Sequence, residues 1–239
     1  MIFEAQLGDP YRVVFSSRLG GVSEGAYASL NLGILTDDEP KRVVENRRRL
    51  CELVEVDPET ATMAWQAHGA TVLRADGRGI VRPGTPFERC DGLWTDERDR
   101  GLVLLTADCL PVALARANGK PGVAVLHVGW RGLLEGIVES GVEALGGGPL
   151  LAAIGPGIGP CCFEVGDEVA EPFRSRFGPD VLVGRNLDLV EATERALRAA
   201  GCEAVGRVDL CSSCEEELFF SHRRDRGVTG RQGIVAALR

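Results

Sequence analysis

The chain has 239 residues, of which 44% are hydrophobic and 26% charged, with a formal net charge of −8 and a pI near 5.1. This composition is typical of a globular protein and excludes extensive disorder, and the acidic balance argues against a nucleic-acid or anionic-membrane binder. No apolar run approaches the ~20 residues of a membrane span, and the N-terminus is not a signal peptide. We therefore expect a single cytoplasmic domain over residues 1–239.

The apolar pattern predicts strands and helices in alternation. A strand over 11–16 leads into a Gly/Ser-rich loop, and acidic residues with Pro40 then open a helix. Asn186 is the predicted N-cap of a late helix, and Gly201 follows its end. Further strands are predicted at 71–75, 93–95, 101–105, 111–115, 122–126, 203–208 and 233–238, and helices at 133–145 and 187–200. Because a hairpin interrupts the alternation, we predict an α/β (α+β) fold with a mixed sheet rather than a doubly wound one.

That hairpin predicts which side chains meet. Residues 111–116 and 122–127 flank a turn centred near Gly119, so paired residue numbers should sum to about 238. His127 then lies opposite position 110 or 111, and Cys109 is its diagonal neighbour, at a Cβ separation of about 7–8 Å or less. Both side chains emerge at one end of the hairpin, whereas His68 must be brought in by the fold.

Two of the three histidines, His68 and His127, lie like Cys109 at predicted strand ends. Two imidazoles and one thiolate suit a catalytic zinc ion with a fourth position open. Two other interpretations remain. The residues could be unrelated core or loop positions, or Cys109 could be a nucleophile with His127 or His68 as its base and Asp108 as an orienting group. Sequence order does not separate zinc ligation from nucleophilic catalysis, because both need a neighbouring imidazole and a lowered thiol pKa.

The remaining cysteines offer a weaker pattern. The chain has eight cysteines and no secretion signal, so we expect free thiols. Cys211 and Cys214 form a solitary CxxC, which we interpret as a structural turn. A structural zinc would need two more ligands, for which Cys161, Cys162 and Cys202 are only a loose candidate set.

The Gly-rich segment 155–160 fits neither a dinucleotide fingerprint nor a Walker A loop, because its prolines remove N–H donors. We expect a rigid loop, and a place in the wall of a small-ligand pocket stays open. Two arginine clusters occupy 47–49 and 223–226, the latter with Arg231. A helix turns about 100° per residue, so 47–49 cannot all face one ligand, although one or two of these arginines could reach a phosphate.

Taken together, the motifs resemble one family along nearly the whole chain. They lie at 15–18, 20–23, 29–33, 46–47, 66–69, 106–111, 127–132, 154–166, 219–225 and 229–231. Three of them read Gln66-Ala67-His68-Gly69, Thr106-Ala107-Asp108-Cys109-Leu110-Pro111 and His127-Val128-Gly129-Trp130-Arg131-Gly132. In this order they resemble the YfiH-like family, variously named multicopper polyphenol oxidoreductase (laccase domain), purine nucleoside phosphorylase and peptidoglycan editing factor.

The resemblance implies a four-layer α/β/β/α sandwich with mixed sheets and a zinc ion bound by His68, Cys109 and His127. It further implies phosphorolysis of adenosine, inosine and S-methyl-5′-thioadenosine, and deamination of adenosine, so the partners would be purine nucleosides and inorganic phosphate. A laccase-type four-copper site needs far more imidazole ligands than the three histidines present. Copper is therefore expected only as an adventitious ion in the zinc site.

These activities assign roles to further residues. Cys109 and His127 would be catalytic, and Asp108 is our candidate for the acid that shuttles protons in a zinc deaminase. Phosphorolysis needs cations for the attacking phosphate. Arg131, at a predicted helix start, is the first choice, followed by Arg18 and Arg47. Asn31, in the family motif at 29–33, is a further predicted substrate-binding residue.

The chain departs from the family pattern at two places. His222 stands where tyrosine is common, and 34–36 replaces a stretch that often carries a histidine, so no ligand role is expected for that loop. Two other functions remain as alternatives. One is a cysteine hydrolase or amidase that edits a peptidoglycan precursor, and the other is a non-catalytic binding domain that retains the fold.

Overall fold

A computed structural model describes residues 2–77, 79 and 88–239. Its strands are β1 (Ile2–Glu4), β2 (Tyr11–Ser16), β3 (Thr62–Met63), β4 (Val72–Arg74), β5 (Gly92–Thr95), β6 (Leu102–Thr106), β7 (Leu110–Arg116), β8 (Val123–Val128), β9 (Leu150–Ile154), β10 (Leu182–Val183), β11 (Asn186–Leu187), β12 (Cys202–Arg207) and β13 (Gln232–Leu238). Its α-helices are α1 (Pro40–Leu53), α2 (Trp130–Glu135), α3 (Ile137–Ala144), α4 (Asp167–Phe177) and α5 (Leu189–Ala199). None of the described helices is long and apolar enough to traverse a bilayer.

Eleven of the strands form two mixed sheets, and β10 and β11 form a separate antiparallel pair. The first has the order β1-β2-β13-β6-β3, and the second has the order β12-β9-β7-β8-β5-β4. Parallel pairs lie at the sheet edges, where β3 pairs with β6, β12 with β9 and β4 with β5. The other pairs in the two sheets are antiparallel. The predicted mixed sheet is thus confirmed.

The alternation of side chains along the strands assigns the layers. In β2, Val13 and Phe15 pack into the core between the sheets, whereas Val14 packs on the opposite face with residues of α1. In β7, Ala113 faces the core between the sheets and Leu114 faces a core that includes residues of α3 and α5. Since successive side chains of a strand point to opposite faces, the first sheet has α1 on its outer face and the second sheet has the other helices on its outer face. The architecture is the α/β/β/α sandwich.

The hairpin of β7 and β8 has the predicted register. Pro111 pairs with His127, and their numbers sum to 238 as the turn near Gly119 required. The first predicted strand coincides with β2. Asn118 and Gly119 are turn residues of known preference, so the local sequence was sufficient to place the strand ends.

Two predicted helix boundaries were wrong. The helix expected over 133–145 is divided into α2 and α3, because Gly136 adopts a left-handed conformation with φ 94° and ends the first helix. Asn186 is not an N-cap, since it lies in β11. The side chain of Asp188 instead accepts a hydrogen bond from the backbone N–H of Glu191 and caps α5.

Candidate active site

A buried carboxylate organises the centre of the site. Asp91, 1% exposed, immediately precedes β5, and its two oxygens accept hydrogen bonds from the backbone N–H groups of Ala67, His68 and Gly69 at 2.8–3.1 Å. Asp91 Oδ1 also lies 2.8 Å from Nδ1 of His127. A carboxylate has about four acceptor positions, so Asp91 is saturated. Asp91 was not among the residues predicted from the sequence, although an acid directly before an apolar strand was the available signal.

This carboxylate explains how His68 reaches the hairpin. His68 has φ 62°, a left-handed conformation that is uncommon for a residue other than glycine. Its backbone N–H is fixed by Asp91, and the ring stands edge-on to the ring of His127 with 4.8 Å between centroids. The contact with Asp91 thus brings His68 next to His127, which local sequence patterns did not predict.

Three side-chain atoms that could hold a metal ion converge at this point. The ligand atoms of His68, Cys109 and His127 all lie within 4.8 Å of one another. His127 is buried, Cys109 half-buried and His68 exposed, so the group opens on one side. Because Nδ1 of His127 contacts Asp91, Nε2 of His127 is the ring nitrogen available to a metal ion. Two imidazoles, a thiolate and an open side are the donor set of a catalytic zinc site.

The glycines of the segment 127–132 are required by close packing at this group. A Cβ on Gly129 would lie 3.1 Å from Sγ of Cys109 and 3.4 Å from Cδ2 of His68. A Cβ on Gly132 would lie 2.7 Å from the carbonyl oxygen of Gly69. Side chains at these positions would thus intrude on Cys109, on the His68 ring and on the loop that carries His68.

Cys109 and His127 shift each other's pKa in opposite directions. Burial alone would raise the pKa of Cys109, but the charge and hydrogen bonds of His127 and His68 outweigh it and lower that pKa to about 6. Burial likewise disfavours charge on His127, yet the Cys109 thiolate and Asp91 raise its pKa to about 9. A thiolate is therefore favoured at neutral pH, which is the form that binds metal or attacks an electrophile.

The ligand group lies in the wall of a cavity of about 830 Å³. Apolar side chains contribute much of the lining, among them Trp65, Trp130, Leu105 and Phe163. Trp65 is 45% exposed and stands at the edge of the cavity. The volume is in the range of small-molecule sites, which combine apolar walls with a few polar groups.

Among the residues that the structure describes, three arginines line the same cavity. Arg47 is buried and donates from Nε to the carbonyl of Leu32, and burial lowers its pKa to about 10. Arg231 is held through bonds to two backbone carbonyls and interacts electrostatically with Asp108 and Cys109. Arg223 stacks on the ring of Phe163. Of the arginines chosen from the sequence as phosphate ligands, Arg47 therefore lies at the cavity.

Arg131 and Arg18 do not line it. Arg131 is exposed and its guanidinium stacks on the ring of Trp130, and the helix that it opens has only six residues. Arg18 lines a separate pocket, stacks on Phe220 and donates to backbone carbonyls there. Both placements run against the phosphate role predicted for these residues.

Asn31 is fully buried and all its hydrogen-bonding capacity is used within the protein. Its amide donates to Thr36 and Asp38, and its oxygen accepts from the backbone N–H groups of Gly33 and Arg231. Asn31 thus ties the loop of residues 31–36 to the backbone of Arg231, and its predicted contact with substrate stays a prediction. Residues 34–36 and His222, the two departures from the family pattern, both line the cavity.

Asp108 is hydrogen-bonded at both carboxylate oxygens. One carboxylate oxygen accepts a hydrogen bond from Ser212 Oγ and the other accepts one from the backbone N–H of Arg223, both at 2.7 Å. The carboxylate that contacts the imidazole of His127 is Asp91, and the catalytic role of Asp108 stays a prediction. Asp108 lines the cavity and joins the segment before β7 to the loops at 212 and 223.

The expectation that Cys211 and Cys214 lack a second pair is also corrected. The sulfur atoms of Cys161, Cys162, Cys211 and Cys214 all lie within 4.8 Å of one another. Cys202, the other candidate considered, is buried and lies outside this group. The two cysteine pairs are about 50 residues apart in the sequence, and they meet because β9 and β12 are neighbours in the second sheet. No local sequence pattern shows this contact.

Comparison with known proteins agrees with this architecture. The family model described as multi-copper polyphenol oxidoreductase laccase matches residues 12–239. The chain belongs to this family. Within this laccase-like family, the chain is 40% identical to a protein of Geobacillus stearothermophilus named purine nucleoside phosphorylase YlmD, over 90% of this chain and 86% of that protein. It is 36% identical to purine nucleoside phosphorylase YfiH of Escherichia coli, over 90% of this chain and 89% of that protein.

Solved structures of the family superpose closely. The crystal structure of a hypothetical protein YfiH from Bacillus licheniformis has a TM-score of 0.92 and 31% identity, covering 100% of this chain and 96% of that one. The structure of YlmD from Geobacillus stearothermophilus has a TM-score of 0.89 and 36% identity, covering 98% of this chain and 94% of that one. The fold is therefore that of the YfiH and YlmD proteins.

Proposed function

We propose that this protein is a zinc-dependent purine nucleoside phosphorylase that also deaminates adenosine. The single observation that carries the proposal is the convergence of His68, Cys109 and His127 in the wall of a cavity lined by arginines. The relatives named purine nucleoside phosphorylase support the nucleoside and phosphate as substrates.

The donor set fits zinc. Tetrahedral zinc binds imidazole nitrogen at about 2.0 Å and thiolate sulfur at about 2.3 Å, and the three ligand atoms lie close enough for both. Asp91 holds His127 through Nδ1, which is the carboxylate–histidine support typical of zinc ligands. When bound, the zinc supplies Lewis acidity and lowers the pKa of water to about 7.

Phosphorolysis breaks the bond between C1′ of the ribose and the purine nitrogen and forms a bond from C1′ to a phosphate oxygen. The products are the free base, which takes up a proton, and ribose 1-phosphate. The attacking group is an anion, so Arg47, Arg223 and Arg231 are the cations that bind and orient it. Trp65 and Trp130 offer aromatic surface to the purine.

Deamination of adenosine adds water at C6 of the purine and releases ammonia, and phosphate takes no part. The same aromatic walls would hold the base, while the arginines contribute only to the ribosyl end. Asp108 keeps Ser212 and the backbone of Arg223 in place at the cavity wall, so its proposed role in both reactions is to position these loops.

A second candidate function follows from the same residues without metal. Cys109, His127 and Asp91 form a chain of thiol, imidazole and carboxylate, the arrangement by which cysteine hydrolases activate their nucleophile. This observation favours the cysteine hydrolase alternative, for which a peptidoglycan precursor is the substrate suggested by the family's names.

One experiment separates the two. The purified protein is incubated with adenosine, with and without inorganic phosphate, before and after metal removal, and the products are separated by chromatography. The phosphorylase proposal predicts inosine alone without phosphate, and adenine, ribose 1-phosphate and hypoxanthine from cleavage of that inosine once phosphate is present. All of these products should disappear after metal removal and return when zinc is added back. Cys202→Ala, which removes a buried thiol outside the site, is the matched control and should behave as wild type.

A further inference from the structure

Four cysteines meet outside the proposed active site. β9 and β12 are parallel neighbours at one edge of the second sheet, so the loops that follow them leave the same end of the sheet. The first loop carries Cys161 and Cys162, and the second carries Cys211 and Cys214. A bridge between Gly157 and Cys211 and a hydrogen bond from the Ser212 N–H to the Gly157 carbonyl hold the loops together.

The geometry is that of a metal cage. All four sulfur atoms lie within 4.8 Å of one another, and Sγ of Cys214 lies 3.4 Å from Sγ of both Cys161 and Cys162. A tetrahedral ion with Zn–S bonds of about 2.3 Å requires sulfur atoms about 3.8 Å apart. The four thiols therefore need only small movements to enclose one ion.

A disulfide fits the four cysteines less well than a metal ion does. A disulfide joins two sulfur atoms at about 2.05 Å, and Cys214 is equally close to two partners while every cysteine is a free thiol. Any one disulfide would leave two of the four thiols unbonded. A single metal ion uses all four.

The surrounding backbone is shaped to this cluster. The N–H of Gly159 donates to Sγ of Cys211 at 3.2 Å, a bond that stabilises negative charge on sulfur. A Cβ at Gly159 would lie 3.4 Å from Sγ of Cys161 and 3.4 Å from Cβ of Cys211, so glycine allows the backbone to approach. The turn of residues 211–214 is closed by a hydrogen bond from the Cys214 N–H to the Cys211 carbonyl.

We propose that Cys161, Cys162, Cys211 and Cys214 bind a structural zinc ion as four thiolates. Each thiol loses its proton to the solvent when the ion binds, and no oxidant or reductant takes part. Two cysteines are exposed, which gives the ion a route of entry. This second zinc is independent of the one proposed at His68, Cys109 and His127.

The site would fix one wall of the main cavity. Ile158 and Phe163, which flank the first cysteine pair, line the cavity, and the N–H of Ile158 donates to the Asp108 carbonyl. Ser212, between the second pair, donates to the Asp108 carboxylate. Asp108 directly precedes Cys109, and both loops hydrogen-bond to Asp108. By joining the loop after β9 to the loop after β12, the ion would therefore stabilise the position of Cys109.

The test is metal content measured by mass spectrometry on protein purified from zinc-supplemented cells and dialysed without chelator. Wild type is expected to hold two zinc ions per chain. Cys211→Ser/Cys214→Ser should hold one, and Cys161→Ser/Cys162→Ser should give the same loss. Cys202→Ala, a buried thiol in the strand β12 that leads into the second loop, is the matched control and should keep both.

A second measurement does not depend on any variant folding. Metal-free wild type titrated with Co²⁺ is expected to develop the intense sulfur-to-cobalt charge-transfer band of a tetrathiolate. Two results would overturn the proposal: a wild-type chain whose only zinc disappears in Cys109→Ala, or bound iron in place of zinc in the cysteine cluster. A chain whose only zinc is lost from the Cys211→Ser/Cys214→Ser variant would uphold this site and contradict the proposed zinc-dependent function instead.

Discussion

Oδ1 of Asp91 lies 2.8 Å from Nδ1 of His127, and both side chains are buried. The same carboxylate binds three consecutive backbone N–H groups of the loop that carries His68. One acid therefore positions two of the three proposed ligands, one through its side chain and the other through its backbone. The ligand geometry depends on Asp91 as much as on the ligands themselves.

Replacing Asp91 with Asn tests that dependence. The amide nitrogen cannot accept a hydrogen bond, so two of the four bonds at this position are lost and a donor faces donors. We expect zinc affinity at His68, Cys109 and His127 to fall by about 10–100-fold, the usual effect of removing the partner of a histidine ligand. Affinity would be measured by competition with a coloured chelator.

Asp96→Asn is the matched control for that experiment. Asp96 directly follows β5, as Asp91 directly precedes it, but it pairs with Arg74 and Lys120 at the surface. Its replacement should leave zinc affinity unchanged. Equal affinity in Asp91→Asn and wild type would show that this carboxylate does not support the ligands.

Gly129→Ala should damage the site without perturbing the backbone. Gly129 has φ −89°, which alanine adopts readily, so the only new feature is a methyl group 3.1 Å from Sγ of Cys109 and 3.4 Å from the His68 ring. We expect a clear loss of zinc and of nucleoside turnover with a nearly unchanged melting temperature. Gly206→Ala, whose nearest neighbour would be a carbonyl oxygen at 3.9 Å, should match wild type. Full zinc occupancy in Gly129→Ala would mean that the ligands do not converge as described.

Arg231→Ala should separate the two proposed reactions. A hydrogen bond to a charged group contributes about 1.5–3 kcal/mol, so the KM for phosphate should rise roughly 10- to 100-fold. Deamination should change little because it consumes no phosphate, and this retained activity also reports that the variant is folded. Steady-state kinetics of both reactions provide the measurement.

Arg131→Ala is the companion variant, because the sequence alone favoured Arg131 for the phosphate. With its guanidinium on Trp130 and outside the cavity lining, it should leave the KM for phosphate within about threefold of wild type, since surface substitutions cost little. A larger increase in the KM for phosphate in Arg131→Ala than in Arg231→Ala would show that Arg131, and not Arg231, binds the phosphate.

Local sequence patterns were sufficient for one half of the candidate site. Strand alternation and the turn near Gly119 predicted the register that places His127 opposite Pro111, next to Cys109. The positions of the histidines and of Cys109 at predicted strand ends also made His68 the candidate third ligand, but they did not show how His68 reaches the hairpin. What brings His68 to the hairpin is Asp91, a contact across more than 20 residues that no local periodicity encodes.

The elements that were predicted wrongly or missed also have identifiable physical causes. Gly136 ends α2 through a left-handed φ, which a helical pattern of apolar residues does not reveal. Helix α4 contains Pro172 and was not predicted. The cysteine cluster depends on the parallel pairing of β9 with β12, and β9 was not predicted either. Sequence patterns thus captured elements with strong local signals, and tertiary contacts decided the rest.

Zinc-dependent catalysis at Cys109 is tested most directly by comparing wild type with Cys109→Ala for zinc content and for turnover of adenosine with and without phosphate. We expect the variant to lose one zinc per chain, because Cys109 is the only anionic ligand of the three, and to form neither inosine nor adenine. A metal-free wild type that is fully active, resists chelators and forms a covalent adduct at Cys109 with a thiol-reactive substrate analogue would contradict zinc-dependent catalysis.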